Sequence, residues 1–152
     1  MKKVNVTVWN EIEGPKGPYP NGIHQVIADF LIASGEFNKV RIALRTQPEH
    51  GLTEEVLNDT DVLIWWGHTY HGAVDDAIVE RVHQRVMAGM GLIPLHSSHA
   101  SKIFAKLMGT KTWEIRWRES GELERVWAIE HNHPITQGVP EYFDIPNRLE
   151  LH

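Results

Sequence analysis

The stretch Asp61-Val62-Leu63-Ile64-Trp65-Trp66-Gly67-His68 decides the fold class of this chain. Its consecutive apolar residues show no polar alternation, which is typical of a strand in a parallel sheet that is covered on both faces. The run ends at Gly67, and two histidines, His68 and His71, follow within five residues. We therefore predict a central parallel strand with chemically active side chains in the turn after it.

Further strand and helix patterns alternate around this run. Strand-like segments occur at 4–9, 39–44 and 91–95. Helical patterns occur at 23–34, 52–57 and 75–87, and from Ser98 or Ser101 through Met108. Gly35 is expected to end the first helix and Thr53 to cap the second. The inward face of the first helix is predicted to consist of Ile23, Val26, Ile27, Phe30 and Leu31. This alternation predicts an α/β fold with a doubly wound, mostly parallel sheet.

The pattern of apolar and polar residues changes after Gly109. The segments 112–118 and 123–129 flank a turn at 119–122 and predict a C-terminal antiparallel hairpin, and the rest of the chain is predicted to be loop. A length of 152 residues fits a single domain over 1–152.

Composition excludes several classes of function. The chain has no cysteine, so disulfides, thiolate metal sites and cysteine nucleophiles are ruled out. The net charge of −5 without a basic stripe argues against nucleic acid as a partner. No apolar run is long enough to cross a bilayer, so no membrane association is expected. The start of the chain lacks a secretory pattern, and we expect a cytoplasmic protein.

Ten histidines stand out in the composition. Turns at the carboxyl ends of parallel strands gather at one edge of the sheet, where ligands bind. We therefore expect five imidazoles to converge there, those of His24, His68, His71, His96 and His99. His50 is assigned to the opposite edge. The converging group could hold a divalent metal, for which we expect zinc, or a substrate. The alternative is that these side chains only bond to backbone groups and cap helices.

Aromatic side chains add a second feature at this edge. Trp65 and Trp66 must face opposite sides of the sheet, so at least one belongs to the core. The other is a candidate floor for a sugar-binding pocket. We assign substrate binding to Trp66, His71 and His99.

The segment Gly91-Leu92-Ile93-Pro94-Leu95-His96-Ser97-Ser98-His99 has the strand, sharp turn and helix layout on which hydrolases present a nucleophile, yet His96 occupies the turn. Here the chain resembles the trehalose-utilisation (ThuA-like) protein family, a branch of the class I glutamine-amidotransferase-like fold. The matching segments are 8–11, 19–24, 48–52, 61–68, 89–97, 101–104 and 133–135.

The resemblance implies a flavodoxin-like domain, a role in the metabolism of a sugar or disaccharide derivative, and no amidotransferase activity. It also singles out His24, His68 and His96 as the edge positions and hence as the candidate metal ligands. Members of the family are longer at the C-terminal end, so we expect a shortened domain here. An exposed sheet edge would favour a homo-oligomer.

Two classes of function stay open. The first is an enzyme acting on a small sugar derivative, with or without the help of a bound metal, with His96 and Glu11 as acid–base residues. The second is a non-catalytic sugar-binding or regulatory module with a structural metal.

Overall fold

A computed structural model describes residues 3–11, 19–109 and 123–145 of the chain. The chain divides into two compact units, Met1–Ile115 and Arg116–His152. Among the described residues, each unit has a β-sheet of its own. The single domain expected over 1–152 stays a prediction.

The first unit contains a four-stranded parallel sheet in its described part, in the order β2-β1-β3-β4. The strands are β1 (Asn5–Asn10), β2 (Lys39–Leu44), β3 (Val62–Trp66) and β4 (Gly91–Leu95). The apolar run thus forms an inner strand between β1 and β4. This is the order of the first four strands of a flavodoxin-like sheet, so the predicted fold class is confirmed.

The helices of this unit are α1 (Ile23–Ser34), α2 (Glu54–Asn58), α3 (Asp76–Met87) and α4 (Lys102–Met108). Local sequence sets their ends. Gly35 adopts a left-handed φ of 67° and closes α1. The hydroxyl of Thr53 accepts a hydrogen bond from the N–H of Val56, as predicted. Ser101 accepts from the N–H of Phe104 at 3.3 Å, so Ser101 rather than Ser98 caps α4.

Alternate strand residues build two cores, one on each face of the sheet. On one face the strands pack against α2, α3 and α4, through Trp9, Leu63, Trp65, Leu57, Ile78, Val82 and Ile103. On the other face they pack against α1, through Val6, Val8, Ile64, Ile27, Ala28 and Leu31. The central apolar strand is therefore covered on both faces, which explains why its sequence does not alternate.

Part of the predicted burial was wrong. Val26 and Phe30 of α1 are 48% and 71% exposed, although Ile27 and Leu31 pack on the sheet. A helix that lies on a sheet buries only a narrow stripe, and in α1 this stripe includes Ala28 rather than the full apolar face. Ile93 of β4 is 48% exposed, because β4 is the edge strand of the sheet in the described residues.

The second unit contains an antiparallel pair formed by β5 (Glu124–Trp127) and β6 (Tyr142–Ile145). A C-terminal antiparallel pair is thus confirmed, but β6 falls in the stretch that was predicted to be loop. The predicted partner strand, 112–118, lies outside the described residues. Cross-strand contacts hold the pair together, including an Arg125–Asp144 ion pair at 2.7 Å.

None of the helices among the described residues is long and apolar enough to cross a membrane.

Candidate functional site

The four parallel strands end side by side. The register pairs Asn10 with both Leu44 and Trp66, and it pairs Trp66 with Leu95. Each of these residues is the last of its strand, so the following turns all begin at one level of the carboxyl edge. The turns after β1, β3 and β4, together with the start of α1, carry the predicted site histidines His24, His68, His71, His96 and His99.

Glu11 directly follows β1 and is buried at this edge. Its side chain has no exposed surface. The carboxylate oxygen Oε1 accepts hydrogen bonds from the backbone N–H groups of Thr69 and Tyr70. The backbone of Glu11 donates to the carbonyl of Trp66 at 3.2 Å and accepts from Arg45 Nε at 3.0 Å. The hydrogen bonds of Glu11 therefore hold the turn after β3 against the end of β1.

His71 lies beside the other carboxylate oxygen. Its Nδ1 is 4.0 Å from Glu11 Oε2, and both atoms are buried without a hydrogen-bond partner among the described residues. Burial is the main cause that lowers the pKa of His71, and the Glu11 carboxylate opposes it. The charges of His68 and His99 lower the pKa further, whereas a contact with the backbone of His68 raises it. The neutral form of His71 is thus favoured.

Gly67 allows this carboxylate and imidazole to approach the end of β3. A Cβ atom at residue 67 would lie 3.1 Å from His71 Nδ1 and 3.2 Å from Glu11 Oε2. Such contacts are tighter than ordinary van der Waals distances, so any larger residue would displace one of these groups. The glycine is needed here for close packing.

Trp66 and His68 form a stacked aromatic pair at the same edge. Their ring centroids are 6.1 Å apart, with 20° between the ring planes. His68 is exposed and Trp66 is partly buried. The pair therefore offers a flat aromatic surface at the carboxyl edge of the sheet.

Serine hydroxyls fix the turn after β4 to the turn after β3. The fully buried Ser98 donates to the carbonyl of Trp65 and accepts from the N–H of Gly67, both at 2.9 Å. Ser97 donates to the carbonyl of Gly67 at 2.8 Å. Three hydrogen bonds thus hold the two turns in a defined relative position.

His96 occupies the first position of the turn after β4, with a backbone φ of 27°. Residues other than glycine rarely adopt positive φ, and such strained positions cluster at functional sites. The ring of His99 donates through Nδ1 to the carbonyl of His96 at 3.1 Å. The structure therefore has the predicted sharp turn with an exposed imidazole at its apex.

Comparison with protein families gives a match over residues 5–149 to the family described as ThuA: Trehalose utilisation. The chain belongs to the ThuA family. The match includes the carboxyl edge and both β-sheets, and it links the chain to trehalose utilisation. A comparison with curated proteins found no match.

In this ThuA-family chain, His24 lies in a separate contact from the other edge histidines. It is 7% exposed, its Nδ1 is hydrogen-bonded to the side-chain amide of Asn10, and burial lowers its pKa. Within residues 3–11, 19–109 and 123–145, no three or more His, Asp and Glu side chains are arranged to hold a metal ion. A metal site at His24, His68 and His96 therefore stays a prediction.

Two neighbours of the ThuA edge were missed from the sequence. Arg45 follows β2 directly, holds the backbone of Glu11, and lies over the ring of Tyr70 at 4.6 Å. His50 was assigned to the opposite edge, which is wrong. Its Nδ1 donates to the carbonyl of Arg45 at 2.7 Å, and its Nε2 accepts from the N–H of Asp75, which follows β3. The sequence contained the information needed to place His50, because residue 50 lies between the end of β2 and the start of α2.

Proposed function

We propose that this ThuA-family chain converts a sugar or disaccharide derivative at the carboxyl edge of its sheet. The observation that carries the proposal is the stacked pair of Trp66 and His68, in the same turn whose His71 lies against the buried Glu11 carboxylate. Imidazoles exchange protons near neutral pH, and an aromatic ring can pack against the apolar face of a sugar. The group therefore combines acid–base chemistry with a surface suited to a carbohydrate.

The environments of the side chains suggest different roles. His96 is exposed at a strained turn and is proposed to contact the ligand as an acid or base. Trp66, His71 and His99 are proposed to bind the ligand. Glu11 has no exposed side-chain surface, so it acts through the groups that it holds rather than by touching the ligand.

Amidotransferase chemistry is not part of this proposal. The turn after β4 presents His96 where a nucleophile would stand, and the chain contains no cysteine. A thiolate nucleophile is thus missing from the whole sequence.

Three expectations from the sequence stay predictions: a bound zinc ion, a homo-oligomer and a cytoplasmic location. The proposed chemistry does not use a metal. Metal analysis of purified protein tests the first expectation directly. A stoichiometric metal that is lost in His68→Ala and His96→Ala would support it, whereas equal metal content in all three proteins would contradict it.

Turnover of a small panel of sugars tests the proposed function. Trehalose and its keto derivatives are incubated with the purified protein, and products are followed by mass spectrometry. Loss of an acid–base group typically costs at least about 100-fold in rate, so His96→Ala should abolish most of the turnover. His68→Ala should weaken binding by removing half of the aromatic pair.

His83→Ala is the matched control, because His83 lies within α3 and away from the strand ends. Its turnover should equal that of the unmodified protein. Sugar binding without any product would favour the non-catalytic sugar-binding module. Absence of both binding and turnover across the panel would overturn the proposed function.

A further inference from the structure

Two buried polar atoms face each other at the candidate site, and neither has a hydrogen-bond partner within the described residues. Glu11 Oε2 and His71 Nδ1 are 4.0 Å apart, and neither has accessible surface. The surrounding protein encloses both atoms. Buried polar groups in native proteins are normally paired, so this pair calls for a physical explanation.

The hydrogen-bonding capacity of the two groups gives that explanation. Oε1 of Glu11 already accepts from Thr69 and Tyr70, and a carboxylate oxygen can only accept. A neutral imidazole carries its single proton on one of its two ring nitrogens. If His71 Nδ1 carries the proton, this N–H points at Glu11 Oε2, which can accept it. If Nδ1 carries a lone pair instead, that lone pair faces a lone pair on Glu11 Oε2.

Closing the gap needs a small displacement. Hydrogen bonds between a ring N–H and a carboxylate oxygen span about 2.7–3.2 Å, so a shift of roughly 1 Å would complete the bond. Gly67 permits such an approach, because a Cβ there would lie within 3.2 Å of both atoms. Burial also favours the neutral imidazole that this arrangement requires.

We propose that Glu11 is a positioning residue that holds His71 in the tautomer protonated at Nδ1, leaving a lone pair on Nε2. The buried carboxylate of Glu11 faces Nδ1 of His71. The side chain of His71 keeps 16% of its surface exposed. His71 then accepts a hydrogen bond from a sugar hydroxyl through Nε2. As the proton moves to Nε2, the electron pair of the O–H bond stays on the sugar oxygen, and the imidazole becomes positively charged beside the Glu11 carboxylate. This assignment rests on the proposed function for the ligand and changes His71 from a binding to a catalytic residue.

Nitrogen-15 NMR of the imidazole rings in the full chain tests the tautomer without any ligand. Spectra are recorded about two pH units above the ordinary histidine pKa, and the His71 signals are assigned by their loss in His71→Gln. We expect a protonated Nδ1 and a bare Nε2. In Glu11→Gln, whose amide can still accept the two backbone bonds, the preference should weaken. Glu54→Gln, an exposed residue of α2, is the matched control and should leave the tautomer unchanged.

Several results would overturn the assignment. A His71 proton on Nε2 in the unmodified protein contradicts it outright, and this measurement decides even if Glu11→Gln fails to fold. An unchanged tautomer in folded Glu11→Gln shows that the carboxylate does not position the ring.

Kinetics test the catalytic part on any sugar that the protein converts. Loss of a group that orients a functional imidazole typically costs 10- to 100-fold, so Glu11→Gln should lower kcat by about that factor with little change in KM. Undiminished kcat in His71→Gln would contradict the catalytic role. A bare Nε2 in a protein that converts no sugar would mean that the proposed function fails while the tautomer assignment stands.

Discussion

Two neighbouring turns of the molecule share a His-x-x-His spacing but differ in their surroundings. After β3, the second histidine, His71, lies against the buried carboxylate of Glu11. After β4, the second histidine, His99, donates to the backbone carbonyl of His96, and in the part of the chain that the structure describes it forms no ion pair with a carboxylate. The first turn is held by a charged side chain from another strand, and the second by the neutral hydroxyls of Ser97 and Ser98.

Strand order explains the difference. β3 lies beside β1, so the residue after β1, Glu11, reaches the turn after β3. In the described part of the sheet, β4 pairs with β3 alone, and its turn is fixed through Gly67 and Trp65. The same spacing thus acquires different chemistry from the strand next to it. The His-x-x-His spacing therefore indicates candidate site residues, and the strand that lies beside each turn decides which groups these histidines contact.

Removing the carboxylate should have the largest effect on stability. Glu11→Leu leaves the N–H groups of Thr69 and Tyr70 without an acceptor and is expected to lower the free energy of unfolding by about 3 kcal/mol. Urea unfolding followed by circular dichroism measures the loss. Glu36→Ala, at an exposed position, should change little. Equal stability of Glu11→Leu and the unmodified protein would mean that the carboxylate does not hold the turn.

Removing the buried hydroxyl in the second turn should cost less. Ser98→Ala leaves the carbonyl of Trp65 and the N–H of Gly67 unpaired and should lower the unfolding free energy by about 2 kcal/mol. Ser97→Ala removes one bond at a partly buried position and should cost about 1 kcal/mol. The same urea titration compares the two, and a larger loss for Ser97→Ala would contradict this ranking.

Acid should weaken the first turn more than the second. Burial lowers the pKa of His71 below its ordinary value of 6.5, although Glu11 opposes this and the charges of His68 and His99 reinforce it. As the pH falls below 6.5, the unfolded chain binds a proton at this residue before the folded chain does. The contribution of His71 to stability is therefore present above this pH and is lost as the pH falls toward the lowered pKa.

Unfolding midpoints measured between about pH 5 and pH 7.5 report this loss. In His71→Gln the decline should be shallower, because one source of the pH dependence is gone. His131→Gln, at an exposed position in the second unit, is the control and should follow the unmodified protein. A decline of equal steepness in His71→Gln would contradict the prediction.

The smallest effect on stability is expected at the strained turn. His96→Gly relieves a φ of 27° and should raise the unfolding free energy by about 1 kcal/mol or less. Turnover of any accepted sugar should fall at the same time. His99→Gly, in the same turn but without positive φ, should lower stability instead. Thermal unfolding of His96→Gly and His99→Gly measures the effect of backbone strain on stability. Turnover of the same variants measures the contribution of each imidazole to activity.

Much of the fold could be predicted because its determinants are local. Gly35 ended a helix through its left-handed backbone, Thr53 started one through its side-chain hydroxyl, and the run at 62–66 formed an inner strand. The burial of Phe30 could not be predicted, because an apolar face shows only that a surface is available, and packing decides which part is covered. The strand β6 was missed because its pairing with β5 spans a long stretch of chain.

The candidate site was only partly predictable. That the strand ends would gather at one edge follows from parallel topology, and the structure places the turns of His68 and His96 there. That Glu11 would turn inward to face His71 depends on the missing Cβ of Gly67, which no periodicity reveals. His50 was misplaced although residue 50 follows β2 and precedes α2, which puts its turn at the same edge as the others.

The stacked indoles of Trp9 and Trp65 have a practical consequence for all of these experiments. Their ring centroids are 3.9 Å apart in the core, and each immediately precedes the last residue of its strand. Electronic coupling between two such rings depends steeply on their separation and orientation. Near-ultraviolet circular dichroism should therefore report optically whether the scaffold beneath the candidate site keeps its native packing in each variant.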